Sequence, residues 1–361
     1  MNIPAYAKLA FAAIAALVLV AGSMIDIHAT LAAYLVAWIA LGVIPVGALG
    51  ILMVTYLVRR DWTPVLHAIL TSASAAIPVV GLLFVPVLTG MAHLYPAAAD
   101  HEALPPFKAF YLAPWFFALR TIVYFSIWSW LALWLRNAWN DSGRMTRAAS
   151  AGLIIFALSL SLAGVDWIES LEPDFHSSVY GLLFISFSLL NGLAFAVGSA
   201  LLLRRRIGPL GGYSALLLSL ILLWAYLHAM QYIVIWSGNI PDEVTWYLKR
   251  SKDGWQFAWI AVSLGQFVFP FFALLSERVR SSRRWLLALC GLTLVMRCCE
   301  AAILVLPAVP LITLPITASM LLAALVLIGA VLWRTFEIAR ASGNSSINPS
   351  AWRVHAETGS K

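Results

Sequence analysis

Long apolar runs, each about as long as a bilayer is thick and each closed off by charge, constrain this chain more than any other feature. A bilayer core takes about 20 apolar residues per helix. A segment inside it must satisfy its own backbone, which leaves helices or closed barrels. The runs are continuous rather than alternating, so they predict helices. Ten spans are expected, at about residues 8–27, 31–58, 64–93, 113–135, 148–166, 178–203, 212–237, 255–276, 285–306 and 309–333. The expected fold class is therefore an all-α membrane protein, with a polytopic domain over residues 1–335 and a short polar tail over 336–361. Ordinary globular chains are about 25% charged. At 11% charged and 62% hydrophobic, this one has no polar stretch long enough for a second, soluble domain. The first run resembles a signal peptide in carrying Lys8 before an apolar core. No small-x-small cleavage site follows Ile25-Asp26, so it reads as an uncleaved first helix.

Basic residues set the expected orientation. With the amino terminus inside, 17 of the 23 Lys and Arg residues are cytoplasmic, among them Arg59, Arg60, Arg204, Arg205, Arg206, Arg283 and Arg284. Lys108, Lys249, Arg250 and Lys252 are external, and Arg120 and Arg297 lie within spans. Both termini are then expected on the cytoplasmic side of a bacterial inner membrane. The net charge of +7 is a topology signal and implies no nucleic-acid binding.

The acids fall on the other face. Asp100, Glu102, Glu169, Glu172, Asp174, Asp242, Glu243 and Asp253 are all expected outside. The turn Asp166–Gly181, DWIESLEPDFHSSVYG, packs Asp166, Glu169, Glu172, Asp174 and His176 between two apolar runs. Its Glu169, Glu172 and Asp174, with Asp242 and Glu243 of the Ser237–Gly254 loop, are candidates for docking a partner. Most tryptophans in these loops read as an interfacial belt.

An ionisable group inside a span costs a few kcal/mol or more, and so marks a candidate site. Arg120 lies about two turns into the fourth span, and Asp166 at the end of the fifth is its expected partner. Arg297 and Glu300 are spaced i,i+3 on the ninth span and share a face. They read equally as a functional pair or as a structural staple. The seventh span, WAYLHAMQYIVIW, carries Trp224, His228, Gln231 and Tyr232 as one expected polar-aromatic stripe. That stripe suits a quinone head group, a proton relay through a histidine, or a seam of interhelical hydrogen bonds. Asp166, Arg120, His228, Arg297 and Glu300 are the proton-path candidates. Asp26, His93 and Asn191 are weaker ones, and His67 is expected to face solvent or head groups.

A membrane haem needs paired histidines at matched depth, and only His228 is well inside a span. Cys290, Cys298 and Cys299 form no C-x-x-C pair. No phosphate-binding glycine loop is present. The chain is expected to bind no redox metal of its own.

Three segments carry a family resemblance: Phe107–Trp128 (FKAFYLAPWFFALRTIVYFSIW), Asp166–Gly181, and Trp224–Arg250 (WAYLHAMQYIVIWSGNIPDEVTWYLKR). Together they resemble the NrfD/polysulfide-reductase-type membrane subunits, and among these the ActF-type subunit of bacterial alternative complex III, a quinol:cytochrome c oxidoreductase. The resemblance implies two four-helix bundles with peripheral helices. It also implies a homologous quinol-oxidising membrane subunit as neighbour, and an iron–sulfur subunit and multihaem cytochrome c subunits on the outer face. Quinone or quinol contact, or a proton half-channel, is the implied role. The family's acidic turn more often has methionine and tryptophan where this chain has Glu169 and Phe175. Two other readings stand beside this one. A stand-alone proton or anion transporter would need Gly- or Pro-broken helices at matching positions of two halves. Pro45, Pro78 and Pro86 interrupt early spans, with no matching pattern late in the chain. The other is a structural anchor subunit.

Overall fold

A computed structural model describes residues 5–58, 63–96, 106–138, 141–203, 210–309 and 314–342. The connectors at Arg59–Asp61 and Arg204–Arg206, together with Asp100, Glu102, Pro310 and the tail beyond 342, lie outside these residues. The described residues contain helices and no strand. Among the described residues nine helices are long and apolar enough to cross a membrane, and they match the second to tenth expected spans. The first helix, Ala5–Ile25, contributes a shorter apolar stretch, Ala10–Ile25. The last helix runs Leu314–Ser342, past the expected end of the membrane domain, although its apolar part is Pro315–Arg334. The protein is an all-α, multi-span membrane protein.

The spans pack as two closed rings of four, the second to fifth and the sixth to ninth. The rings share a seam where the second span (Ile27–Val58) crosses the sixth (Tyr180–Leu202). The tenth span packs on the second and third, and the first helix packs on the tenth. Burial reflects this arrangement: 94% of the second span's apolar window is inside the protein, against 22% of the eighth's. Two glycines make the seam possible. A Cβ on Gly47 would fall 1.8 Å from the Ser188 carbonyl oxygen, and one on Gly192 would fall 2.3 Å from the Gly47 carbonyl carbon. Small residues that let helix backbones touch are the usual contact between helices in lipid, where no hydrophobic force drives helices together.

The third span is not the continuous helix expected over 64–93. It breaks into Thr63–Ser74, Ile77–Leu82, Val85–Thr89 and Met91–Leu94. Pro78 and Pro86 lack the amide that would continue the ladder, and the chain turns tightly at Leu83–Phe84. Phe84 N bonds to Gly81 O and Val87 N to Phe84 O, which leaves the Val80 and Leu83 carbonyls without their helical donors. The second span supplies replacements: Trp38 Nε1 donates to Val80 O at 2.9 Å, and the Tyr34 hydroxyl donates to Leu83 O. In hydrocarbon an unpaired carbonyl costs several kcal/mol, so a broken helix survives only where protein covers it.

Two π-helical segments were not legible as interruptions: Trp38–Gly42 in the second span and Ser263–Val268 in the eighth. Each is followed by a proline, Pro45 and Pro270. The expectation was of no late pattern matching the early prolines. The two rings equate the second span with the sixth and the fourth with the eighth, so these breaks sit at non-equivalent positions. They do not form the matched pair a transporter of two repeats requires.

Asp26 has a local role. It is the N-cap of the second span, with φ −150° and its side chain accepting from the Ala29 amide at 2.9 Å. Asp26→Ala should cost about 1 kcal/mol of stability, read as a lower midpoint of unfolding in mixed micelles. Asp141 caps the fifth span in the same way. Hydrogen bonds from the Arg144 amide first, then from Gly143, hold its carboxyl below the usual carboxylate range.

Candidate functional site

Each ring carries a buried carboxylate at the acidic-turn end of its last helix. In the first ring this is Asp166, fully buried on the helix Ser142–Trp167. Arg120 grips it in bidentate fashion, Nε to Oδ2 at 2.8 Å and Nη2 to Oδ1 at 2.9 Å, and the Tyr124 hydroxyl donates to Oδ2 at 2.7 Å. Arg120 and Tyr124 lie one turn apart on the fourth span and so reach the same carboxylate. The third guanidinium nitrogen donates to Tyr111 O at 2.7 Å, and the cation lies over the Tyr111 and Phe116 rings. Every strong donor and acceptor here has a protein partner. The arrangement is a closed lock.

The second ring holds Glu300, 2% exposed, on the helix Arg283–Val305. Arg297, one turn before it and fully buried, pairs with Oε2. The Arg297 guanidinium also faces the Trp224 ring at 4.5 Å and the Phe187 ring at 5.4 Å. Trp224 Nε1 donates to Glu300 Oε1 at 3.2 Å, and His228 Nε2 lies 3.2 Å from the same oxygen. Trp224 and His228 are one turn apart on the helix Gly211–Gly238, which aims both at the ninth span.

Both ring nitrogens of His228 have an oxygen partner. Nδ1 lies 3.0 Å from the Trp224 carbonyl oxygen, which can only accept, so Nδ1 carries a hydrogen. Nε2 then faces a carboxylate oxygen. A neutral imidazole and an ionised carboxylate would set lone pair against lone pair there. The contact at 3.2 Å needs one more proton, on Nε2 or on Glu300.

Trp224, His228 and Gln231 fall on one face of the seventh span, as the stripe predicts. Tyr232 does not join them. Eight residues after Trp224 it has rotated most of a quadrant away; it is 47% exposed and packs on Trp236 and Tyr247. The cavity beside Glu300 is lined by His228, Gln231, Tyr180, Trp246, Tyr247 and Trp259, among others, and has a volume of about 20 Å³. A water needs roughly 10–15 Å³, whereas ligand pockets run to about 300–1,000 Å³. The space suits water and is too small for a quinone ring. Gln231 Oε1 and Trp259 Nε1, both on its wall, make no hydrogen bond among the described residues. Deeper in the same ring, Gln266 in the π segment and the Thr293 hydroxyl are also buried without a hydrogen-bond partner.

The five proton-path candidates therefore form two clusters in separate rings, and their hydrogen bonds and ion pairs stay within each cluster. The acidic turn divides as well. Glu172 is pulled inward by Lys249 at 2.8 Å and Arg250 at 2.7 Å, and Glu169 accepts from the Ser177 amide at 3.1 Å. Glu243 is half-buried, and only Asp174 and Asp242 of the five docking candidates stand exposed. His67 faces inward, stacked on Tyr56 with its Nε2 3.0 Å from the tyrosine hydroxyl, because the third span packs on the second there. His93 and His28 pack edge to face. Asn191 is buried in the seam and donates to Phe187 O.

Arg250 escaped the sequence reading, where it counted only as an outer-loop charge. It is 1% exposed and donates to Ile303 O at 3.0 Å, Leu304 O at 2.9 Å and Trp246 O at 3.1 Å, with its guanidinium over the Trp246 ring. It caps the carbonyl end of the ninth span and ties it to the helix Pro241–Lys249 and to Glu172. The i,i+4 spacing of Trp246 and Arg250 was the one available signal. Among the described residues no three His, Cys, Asp or Glu side chains gather as a metal site. No family model matches the chain, and no curated protein matches it significantly.

Proposed function

We propose that this chain is the proton-handling membrane subunit of a quinol:cytochrome c oxidoreductase of the alternative complex III kind, and that Glu300 with His228 is its proton-exchanging group. The observation that carries the reading is the contact between His228 Nε2 and Glu300 Oε1, at 3.2 Å inside a membrane-spanning ring. Arg297 keeps a positive charge beside it, so the proton can leave without stranding an unpaired carboxylate. The paired four-helix rings and the three resembling segments support the assignment to this type of subunit. In this reading the acidic-turn end faces outward from a bacterial inner membrane, and both termini are cytoplasmic. The homologous quinol-oxidising subunit takes the quinone ring, because the cavity at Glu300 is too small for one. Haem c and iron–sulfur clusters belong to partners on the outer face.

Purification in mild detergent tests the partner set: the chain should bring down haem c and iron–sulfur absorbance, and a colourless preparation would overturn it. Asp166→Asn separates the two rings. It leaves Arg120 facing a neutral amide and should lower stability by about 3 kcal/mol, while turnover per assembled complex stays at the parent level. Lost turnover in assembled Asp166→Asn complexes would move the proton path to the first ring.

A further inference from the structure

We infer that the open pocket beside the acidic turn is the antechamber of the Glu300 site and that Trp246 is the gate between them. The inference rests on the proton-exchange reading above and names its access route. The outer pocket has a volume of about 420 Å³ and is walled by Glu172, Asp174, Asp242, Thr245, Lys249 and Trp246, among others. The inner cavity, about 20 Å³, has both Trp246 and Glu300 in its wall. One indole is thus the shared partition. Phe175 lines the outer pocket and stacks on Trp246 with ring centres 5.0 Å apart. Trp259 lines the inner cavity, 6.5 Å from Trp246 and 5.9 Å from His228. Glu172 is paired with Lys249 and Arg250, and Lys108 donates to the Pro173 carbonyl on the pocket wall, which leaves Asp174 and Asp242 as the exposed carboxylates that attract cations, hydronium among them. Beyond the partition the unpaired Gln231 Oε1 and Trp259 Nε1 offer an acceptor and a donor to water.

Trp246 rides on a short helix with a left-handed turn at each end. The helix Pro241–Lys249 is bracketed by left-handed residues, Asn239 with φ 47° before it and Asp253 with φ 52° and Gly254 with φ 89° after it. Contacts from its last turn and the next residue hold it down: Lys249 and Arg250 to Glu172, and Arg250 to the ninth span's last carbonyls. Glu172 is therefore both a wall of the antechamber and the catch of the lid. Weakening the catch raises the population in which Trp246 has swung out and the two spaces are continuous.

The test is a cysteine on the inner wall, Leu304→Cys, in the full chain in native membranes with Cys290, Cys298 and Cys299 replaced by serine. The probe is a small trimethylammonium methanethiosulfonate reagent. Labelling should be slow with the gate intact and about tenfold faster in Trp246→Ala and in Glu172→Gln, the change that removing roughly 1.4 kcal/mol from the closed state produces. A cysteine at Leu286, at the far end of the same span, should stay unlabelled throughout. If it becomes labelled in Trp246→Ala, that variant has unfolded and Glu172→Gln decides. Unchanged labelling at position 304 in folded variants overturns the gate. The proton reading is scored separately, by the turnover of Glu300→Gln with the lid intact, so either idea can fail alone.

Discussion

Glu300→Gln is expected to slow turnover of the assembled complex about 100-fold, within the range for removing a group that transfers protons. The same change should cost about 3 kcal/mol of stability, because the buried Arg297 loses its counter-charge. Glutamine keeps the acceptor that Trp224 and His228 use, so the packing survives and only the charge and the exchangeable proton are lost. The two losses are separable. In Arg297→Met/Glu300→Gln neither charge remains, and replacing both members of a buried ion pair by groups of similar size is often neutral. Unfolding in mixed micelles should therefore return to within about 1 kcal/mol of the parent, while turnover stays low. A double variant that recovered turnover along with stability would make the pair a structural staple.

The second large effect concerns the seam. Gly192→Val puts a Cβ 2.3 Å from the Gly47 carbonyl carbon and 2.4 Å from the Ala48 amide nitrogen. Both are backbone atoms in the most buried helix of the protein, so no side chain can turn away to make room. The second and sixth spans must part, and every contact that joins the rings weakens. A loss of about 3 kcal/mol or more is expected, at the upper end of overpacking costs, read as a lower unfolding midpoint and poor recovery from membranes. Gly329→Ala is the control. Its Cβ would meet nothing within 4 Å, so the helix should gain about 0.5–1 kcal/mol. Equal behaviour of the two variants would argue that the seam is not where the rings are held.

Much of the fold was legible because the bilayer is a severe solvent. A continuous apolar run of span length has few alternatives to a helix, so all ten expected runs reappear as helical segments with shifted ends, nine of them long and apolar enough among the described residues to cross a membrane. The break-up of the third span was half legible. Pro78 and Pro86 announce it, but no local signal says that Trp38 and Tyr34, some 40 residues away, supply the missing hydrogen bonds. The π segments were not legible, since π and α segments differ by a hydrogen-bond shift that composition does not record.

The sites divide along the same line. That Arg120 needs Asp166, and that Arg297 can pair with Glu300, follows from the cost of a lone charge in hydrocarbon and from i,i+3 spacing. The stripe Trp224–His228–Gln231 follows from helical period. Tyr232 shows the limit of that argument: a residue one position further round is half exposed and packs on Trp236 and Tyr247, and a loose count of turns cannot exclude it. Glu172 shows a second limit. Three acids in one turn read alike in the chain, yet one is drawn inward by two bases from a helix about 77 positions later.

The chain alone thus dictates helices, their number and the buried charges that demand partners, because solvation of apolar and charged groups is a property of each residue and its near neighbours. Which carboxylate is locked by an arginine and a tyrosine and which faces a histidine is decided by packing. Asp166 meets a guanidinium fork and a hydroxyl that satisfy it completely. Glu300 meets an imidazole whose other nitrogen is already committed to a carbonyl. That difference lies in the relative placement of four helices and a lid, and no stretch of the sequence contains it.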